Sequence, residues 1–317
     1  MRGPPGKEAD DEPMNLCLPT LHGMIDRRIL VNFRVAPTVL EEVLPLPFRP
    51  KLVRGWGMAG ICLIRLSQIR PRGIAAHFGI SSENAAHRIA VEWEQGGRRH
   101  EGVFIPRRDT SSRINVLAGG RLFPGIHHHS EFRVDERQGQ FCVEMRNRAD
   151  GTHIELRARC RPDLQRTSVF DTLAEASEFF RQGALGYSVG DGAGRLDGLE
   201  LRSDEWRVEP LSVDYVRSSF FANETIFPPG SVEFDSALLM RDILHEWHAR
   251  GALHYGDGYL LRRLWDRPTP RGEFPLPTTQ EWGEGQGEGN SNKHGPPLPG
   301  PLLPPGGEGE ARRCLCN

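Results

Sequence analysis

At 317 residues with 38% hydrophobic content, the chain is long enough to bury a substantial core. A formal net charge of −2 gives no electrostatic pull toward nucleic acid or an anionic membrane surface, and no run approaches the roughly 18 apolar residues of a membrane span, so neither partner is expected. The polar, acidic start MRGPPGKEADDEP lacks the apolar stretch of a secretory signal, which points to a soluble cytoplasmic protein.

Residues 1–20 read as a flexible lead-in, 21–266 as a single domain, and 267–317 as a disordered tail whose Gly, Pro and Glu cannot bury enough apolar surface to offset ordering. In chain order, IDRRILVNFRV (25–35) alternates like a strand, PTVLEEVLP (37–45) has helical spacing, and GWGMAGICLIRLSQI (55–69) is a long apolar strand. NAAHRIAVEWEQGGRRHEGVFIPRRD reads as two strands turning at Gly96 and Gly97, followed by a strand through three consecutive histidines. FCVEMRNRADGTHIELRARCR (141–161) is a hairpin turning at Asp150 and Gly151. A helix over 173–183 ends at Gly183, and GLELRSDEWRVEPL and SVEFDSALLMRDILHEWH close the core as strands. The expected fold is mainly β, an antiparallel barrel or cone with two or three short helices.

Period-two alternation turns His128 inward with Ile126, Ser130, Phe132 and Val134, and turns His127 and His129 outward. The strand from residue 83 sets Glu83 and His87 on its apolar face and Asn84 and Arg88 on the other. Inward carboxylates and imidazoles need a partner, a shifted protonation state or a ligand, so Glu83, His87 and His128 form the candidate site. A satisfied polar core is the competing reading. RRDTSSR, ending at Arg113, could hold an anion, although turn chemistry explains its Asp and Ser equally well.

Metal ligation meets geometric obstacles. Adjacent strand residues point to opposite faces, so His127, His128 and His129 cannot converge on one ion, and His245-Glu246-Trp247-His248 lacks the H-E-x-x-H spacing. Only a composite of His128, His87 and Glu83 leaves a metal open, and the site is read without metal or cofactor. The six cysteines show neither a C-x-x-C pair nor regular spacing, and Cys62 and Cys142 look like inert packing in apolar strands.

The stretch from Ile25 to about Trp247 resembles the bacterial family called domain of unknown function 2071. The resemblance rests on the order of SENAAHR, GVFIPRRDTSSR, AGGRLFPGIHHHSEF, a helix and EWRVEPL. Family members carry a Glu, Asn and Arg pattern where this chain has Glu83, Asn84 and Arg88, and Pro-Tyr-Tyr where it has His127, His128 and His129. That family is similar in fold to acetoacetate decarboxylase, which encloses a pocket in antiparallel strands and sets a Schiff-base lysine after G-R-E-x-x-G-x-P-K-K. Aligned from Gly120, the motif places its Arg on Arg121, its Glu on Leu122, its second Gly on Gly125, its catalytic lysine on His128 and the neighbouring lysine on His129.

Imidazole cannot form that imine, and Lys51, the only lysine of the core, follows Pro50 at a strand start where solvation is expected. The resemblance therefore implies the fold without Schiff-base decarboxylation. The leading reading is an enzyme on a small carbonyl or carboxylate compound, with His128 as acid/base, Glu83 orienting it, and Arg121, Arg88, Arg113 and His87 contacting the ligand. A second is a non-catalytic barrel that holds a small molecule against Trp56, Trp93 and Phe123. A third is a homo-oligomeric module with His127, His129 and Glu131 at a subunit contact.

Overall fold

The computed structural model describes residues 20–119, 124–190 and 194–254. The expected tail and nearly all of the lead-in lie outside these residues, as do Arg121, Leu122 and Phe123. Among the described residues no helix is long and apolar enough to cross a membrane.

Alternating apolar and β-branched residues make most of the described residues extended. Strand β1 (Leu21–Val35) leads into helix α1 (Pro37–Val43), which opens on a proline that needs no intrahelical donor. Short strands β2 (Arg49–Pro50) and β3 (Leu52–Val53) precede the long β4 (Trp56–Pro71). Strands β5 (Ile80–Gln95) and β6 (Arg98–Thr110) form the expected hairpin, with Gly96 at φ 58° and Gly97 at φ 72°, values that side-chain-bearing residues adopt reluctantly. Helix α2 (Arg113–Ala118) is capped by the Ser112 hydroxyl, which accepts from the Asn115 N–H.

The expected histidine strand is broken at Ser130 into β7 (His127–His129) and β8 (Glu131–Arg137). Ser130 donates its hydroxyl to Asp109, and the two pieces take different neighbours: β7 joins β6, and β8 joins β9 (Gln140–Arg146). Strand β10 (His153–Cys160) completes the second hairpin. Helix α3 (Leu173–Gln182) starts where Thr172 accepts from the Glu175 N–H and Glu175 reaches back to the Asp171 N–H. Strand β11 (Leu185–Val189) and β12 (Arg195–Arg202) follow. GLELRSDEWRVEPL is not one strand, because the Ser203 hydroxyl bonds the carbonyls of Glu205 and Leu244 and turns the chain before β13 (Glu209–Ser218). The 23-residue β14 (Val232–His254) ends the described fold.

The strands pair in the order β1-β4-β5-β6-β11-β12-β14, and β14 returns to β1, which closes a ring. From β14 the sheet continues outward through β13, β10, β9 and β8. The barrel is mainly antiparallel, with β6 pairing parallel to both β11 and β7. Both faces of the ring are covered. One carries Ile29, Phe33, Leu63 and Phe104 against Met145, Leu156 and Val216 of the outward extension. The other encloses Cys62, Ile64, Met240 and Ile243, with Ala176 and Phe180 of α3 packed among them.

A charged network ties ring to extension. Arg27, 2% exposed, donates to Glu83 at 2.6 Å and to Glu136 of β8 at 2.7 Å, while Arg65 bonds the same carboxylates at 2.5 and 3.0 Å. Arg27, Arg65 and Glu83 lie on one rung across β1, β4 and β5. Removing Arg27 leaves two partly buried carboxylates with only Arg65 between them. Arg27→Leu is expected to lower unfolding free energy by about 3 kcal/mol, and Arg65→Leu by less, in urea titrations.

Candidate ligand-binding cavity

A cavity of about 130 Å³ lies inside the ring. Its wall runs from Arg28 on β1 through Cys62, Ala86 and Arg108 to Gly186, Leu199 and Trp247 on the far side. An engineered protein cavity of about 150 Å³ accepts benzene, so this space suits a molecule of about six non-hydrogen atoms.

Strand register places the polar wall. Leu30, Cys62, Ala86, Arg108 and His127 pair in sequence across β1, β4, β5, β6 and β7, forming one rung. Adjacent strands stand about 4.8 Å apart, and Ala86, with only a methyl group, leaves a gap between the Cys62 thiol and the Arg108 guanidinium. On the next rung of the same face stand Arg28, Ile64 and Asn84. On the rung to the other side stand Asn32, Gly60 and Arg88, and Arg88 Nη2 donates to Asn32 Oδ1 at 2.5 Å across the bare glycine. A Cβ on Gly60 would come within 2.3 Å of the Val31 carbonyl oxygen, so this crossing is reserved for glycine.

Three guanidiniums thus share one partly apolar cavity. Arg28 Nε donates to Cys62 Sγ at 3.3 Å, and Arg108 Nε donates to Ser188 Oγ at 2.8 Å. Among the described residues none of the three has a carboxylate partner. Asp109 also borders the cavity, but Arg107 holds both its oxygens at 2.8 Å and the Ser130 hydroxyl takes a further bond. Desolvation, with the Arg28 charge adding at Arg88, lowers Arg88 and Arg108 to about 10, so both remain charged at neutral pH. Arg88 Nε is buried without any hydrogen-bond partner. Burial, then the Arg108 charge, push His127 down to about 3, and its Nδ1 lies 3.0 Å from the Gly125 carbonyl oxygen.

On β5 the expected alternation holds and the cavity lies on the Asn84 and Arg88 face; around the histidines it does not run through, since Ile126 is 41% exposed and the strand breaks at Ser130. Asn84 and Arg88 line the cavity, while His87 and Glu83 are absent from its wall. His87 is fully buried on the opposite face, its Nε2 3.2 Å from Ser218 Oγ and its ring stacked on Phe220 at 4.2 Å. Glu83 belongs to the Arg27 and Arg65 network. His127 borders the cavity and His128, on the other side of β7, does not, so the cavity imidazole is His127. None of Glu83, His87 and His128 therefore lines the cavity. Among the described residues no three His, Cys, Asp or Glu side chains are placed to hold a metal ion, the trio included.

Of the other expected contacts, Arg88 is in the wall, Arg113 is exposed at the start of α2, and Trp56 lies outside the cavity under the Arg34 guanidinium. Trp93 packs against Phe48 in the opposite core. Arg121 and Phe123 lie outside the described residues. Lys51 is less solvated than expected: its side chain is 11% exposed, with Nζ 2.5 Å from Glu101 and 2.8 Å from Gln182. It lines a neighbouring void of about 20 Å³ that shares Arg28 and Arg88 with the cavity. Sequence reading missed Arg28, Cys62, Arg108 and His127; the one available signal was small Ala86 between polar neighbours on the face assigned to the outside.

A larger hollow of about 370 Å³ opens beside His22, Arg202 and Glu246. In its wall Glu246 lies 2.9 Å from His22 and 2.8 Å from His248, and Arg70 donates to the carbonyls of Ile74 and Gln68.

Three buried imidazoles set an acid sensitivity. Desolvation holds His87 and His127 at about 3 and His245 at about 4, against 6.5 when exposed. Below pH 6.5 the unfolded chain takes up protons that the folded chain refuses, so stability present above 6.5 is lost progressively as pH falls toward 4. The thermal midpoint is expected to fall steadily from pH 7 to pH 5, and His87→Leu is expected to make that fall shallower. A midpoint independent of pH over this range would contradict the burial of these rings in neutral form.

Comparison with solved structures supplies relatives of the fold. The chain is similar to the enduracididine biosynthesis enzyme MppR complexed with the condensation product of pyruvate and imidazole 4-carboxaldehyde, at 13% identity and TM-score 0.53, over 82% of this chain and 99% of that one. The same enzyme complexed with pyruvate matches at 13% identity and TM-score 0.50, over 81% and 99%. Acetoacetate decarboxylase from Legionella pneumophila subsp. pneumophila str. Philadelphia 1 aligns at 12% identity and TM-score 0.48, over 74% and 88%. No curated protein matches the sequence. Residues 24–237 match the model of DUF2071, described as an uncharacterized conserved protein, and the chain belongs to that family.

Proposed function

We propose that the ring cavity binds a small carboxylate compound, held by the guanidiniums of Arg88, Arg108 and Arg28. The observation that carries this reading is the placement of three such cations around one cavity with no carboxylate partner among the described residues. Buried charge is costly unless compensated, and an entering anion offsets that cost while Arg presents a planar fork suited to carboxylate. The cavity size favours a compound of three or so carbons. Support also comes from MppR, whose fold this chain shares and which has been seen complexed with pyruvate.

The same cavity suits proton transfer as a second reading. His127 stands on the rung of Arg108 and keeps a neutral imidazole, so it can accept a proton from a bound compound. A bound anion would raise the basicity of that ring, because the Arg108 charge that depresses it would be partly neutralised. Lysine chemistry is not part of the reading, since the Lys51 amine is engaged by Glu101 outside the cavity wall.

Titration calorimetry with pyruvate tests the reading. Wild-type protein is expected to bind one equivalent, and Arg108→Gln to weaken the affinity by roughly 10- to 100-fold, the loss of one or two charge-assisted hydrogen bonds. Ala86→Leu should abolish binding by filling the gap while the protein stays folded. No heat with pyruvate or other three-carbon carboxylates, or affinity unchanged in Arg108→Gln, would overturn it.

A further inference from the structure

Cys62 is the one sulfur in the cavity wall, and its surroundings differ from those of a packing thiol. It is 7% exposed and lies on the rung of Arg108 and His127, separated from Arg108 only by Ala86. Arg28 Nε donates to its sulfur at 3.3 Å. The sulfur is near enough to Arg88 and Arg108 that negative charge on it acts to raise the pKa of both. A second observation points to a ligand at this place: Arg88 is 6% exposed, lines the same cavity, and keeps its Nε buried with no partner.

We infer that Cys62 is a nucleophile that adds reversibly to the carbonyl carbon of a 2-oxo acid bound in the cavity. The inference rests on the carboxylate reading above and narrows it to compounds with an electrophilic carbon beside the carboxylate. With its carboxylate on Arg108, the compound would extend past Ala86, the small residue that separates Arg108 from Cys62 on the rung. Bonding between Sγ and that carbon breaks the carbon–oxygen π bond, and the proton of the thiol ends on the former carbonyl oxygen, giving a hemithioketal. Nothing is oxidised or reduced and no co-reactant is needed. Arg88, in the same wall, supplies positive charge toward the developing oxygen charge, and holding both reactants in one cavity replaces a bimolecular encounter. Arg28, bonded to the sulfur, is a positioning residue.

Two measurements on the full chain test this. In the first, wild-type protein is alkylated at neutral pH with iodoacetate or iodoacetamide, and peptide mapping follows Cys62 against exposed Cys160. The ratio of iodoacetate to iodoacetamide rate is expected to be at least about tenfold higher at Cys62, because the guanidiniums concentrate the anion, and pyruvate should protect Cys62 alone. Arg28→Gln should reduce the ratio. In the second, 2-13C-pyruvate is examined by NMR with wild type and Cys62→Ser. A tetrahedral-carbon resonance distinct from free pyruvate hydrate is expected with wild type and not with the variant.

Calorimetry separates the two levels. Pyruvate binding retained in Cys62→Ser, with Cys62 of the wild type unreactive or without anion preference, would overturn the nucleophile and leave the carboxylate site standing. Failure of wild type to bind pyruvate would overturn the carboxylate reading itself, and the 2-oxo acid assignment with it. Should Cys62→Ser fail to fold, the alkylation ratio in wild type still decides.

Discussion

Strand β1 is paired along almost its whole length on both edges, with β4 on one side and β14 on the other, and this closure constrains the rest of the molecule. Closing the ring removes its free edges and forces each strand to present one row of side chains inward and one outward. Because the extension from β13 to β8 covers part of the outer face, both rows are buried. The interior row must then leave space or fill it, and around Ala86 and Gly60 it leaves space.

The two faces treat charge differently. On the outer face Arg27 and Arg65 meet Glu83 and Glu136, and Arg107 meets Asp109 and Asp150, so each cation is matched where it is buried. Inside the ring Arg28, Arg88 and Arg108 have sulfur, amide and hydroxyl partners instead. Such neutral partners satisfy some donors without cancelling charge. Matched pairs hold a fold together, whereas an unmatched cluster within a cavity is poised for an anion from outside. The proposed binding role of Arg28, Arg88 and Arg108 rests on this contrast within one sheet.

Much of the fold was legible in the sequence because its signals are local. Gly96-Gly97 and Asp150-Gly151 marked hairpins, Gly183 marked the end of the helix, and alternation set Glu83 opposite Arg88 and His127 opposite His128. Which face holds the cavity was not legible, since a sheet covered on both sides shows apolar residues in both rows, as the nearly unbroken burial of β4 illustrates. Arg28 and Arg108 come to the cavity through register across several strands, information that no single segment carries. The break at Ser130 likewise depends on Asp109, 21 residues earlier.

The most direct measurement is a crystal structure of the protein with pyruvate. Density for one molecule inside the ring, its carboxylate within hydrogen-bond distance of Arg108 or Arg88 and its second carbon over Ala86, is the expected result. Pyruvate bound only at the hollow beside Glu246, or a ring interior whose arginines prove to be paired with carboxylates of the chain itself, would contradict the central claim.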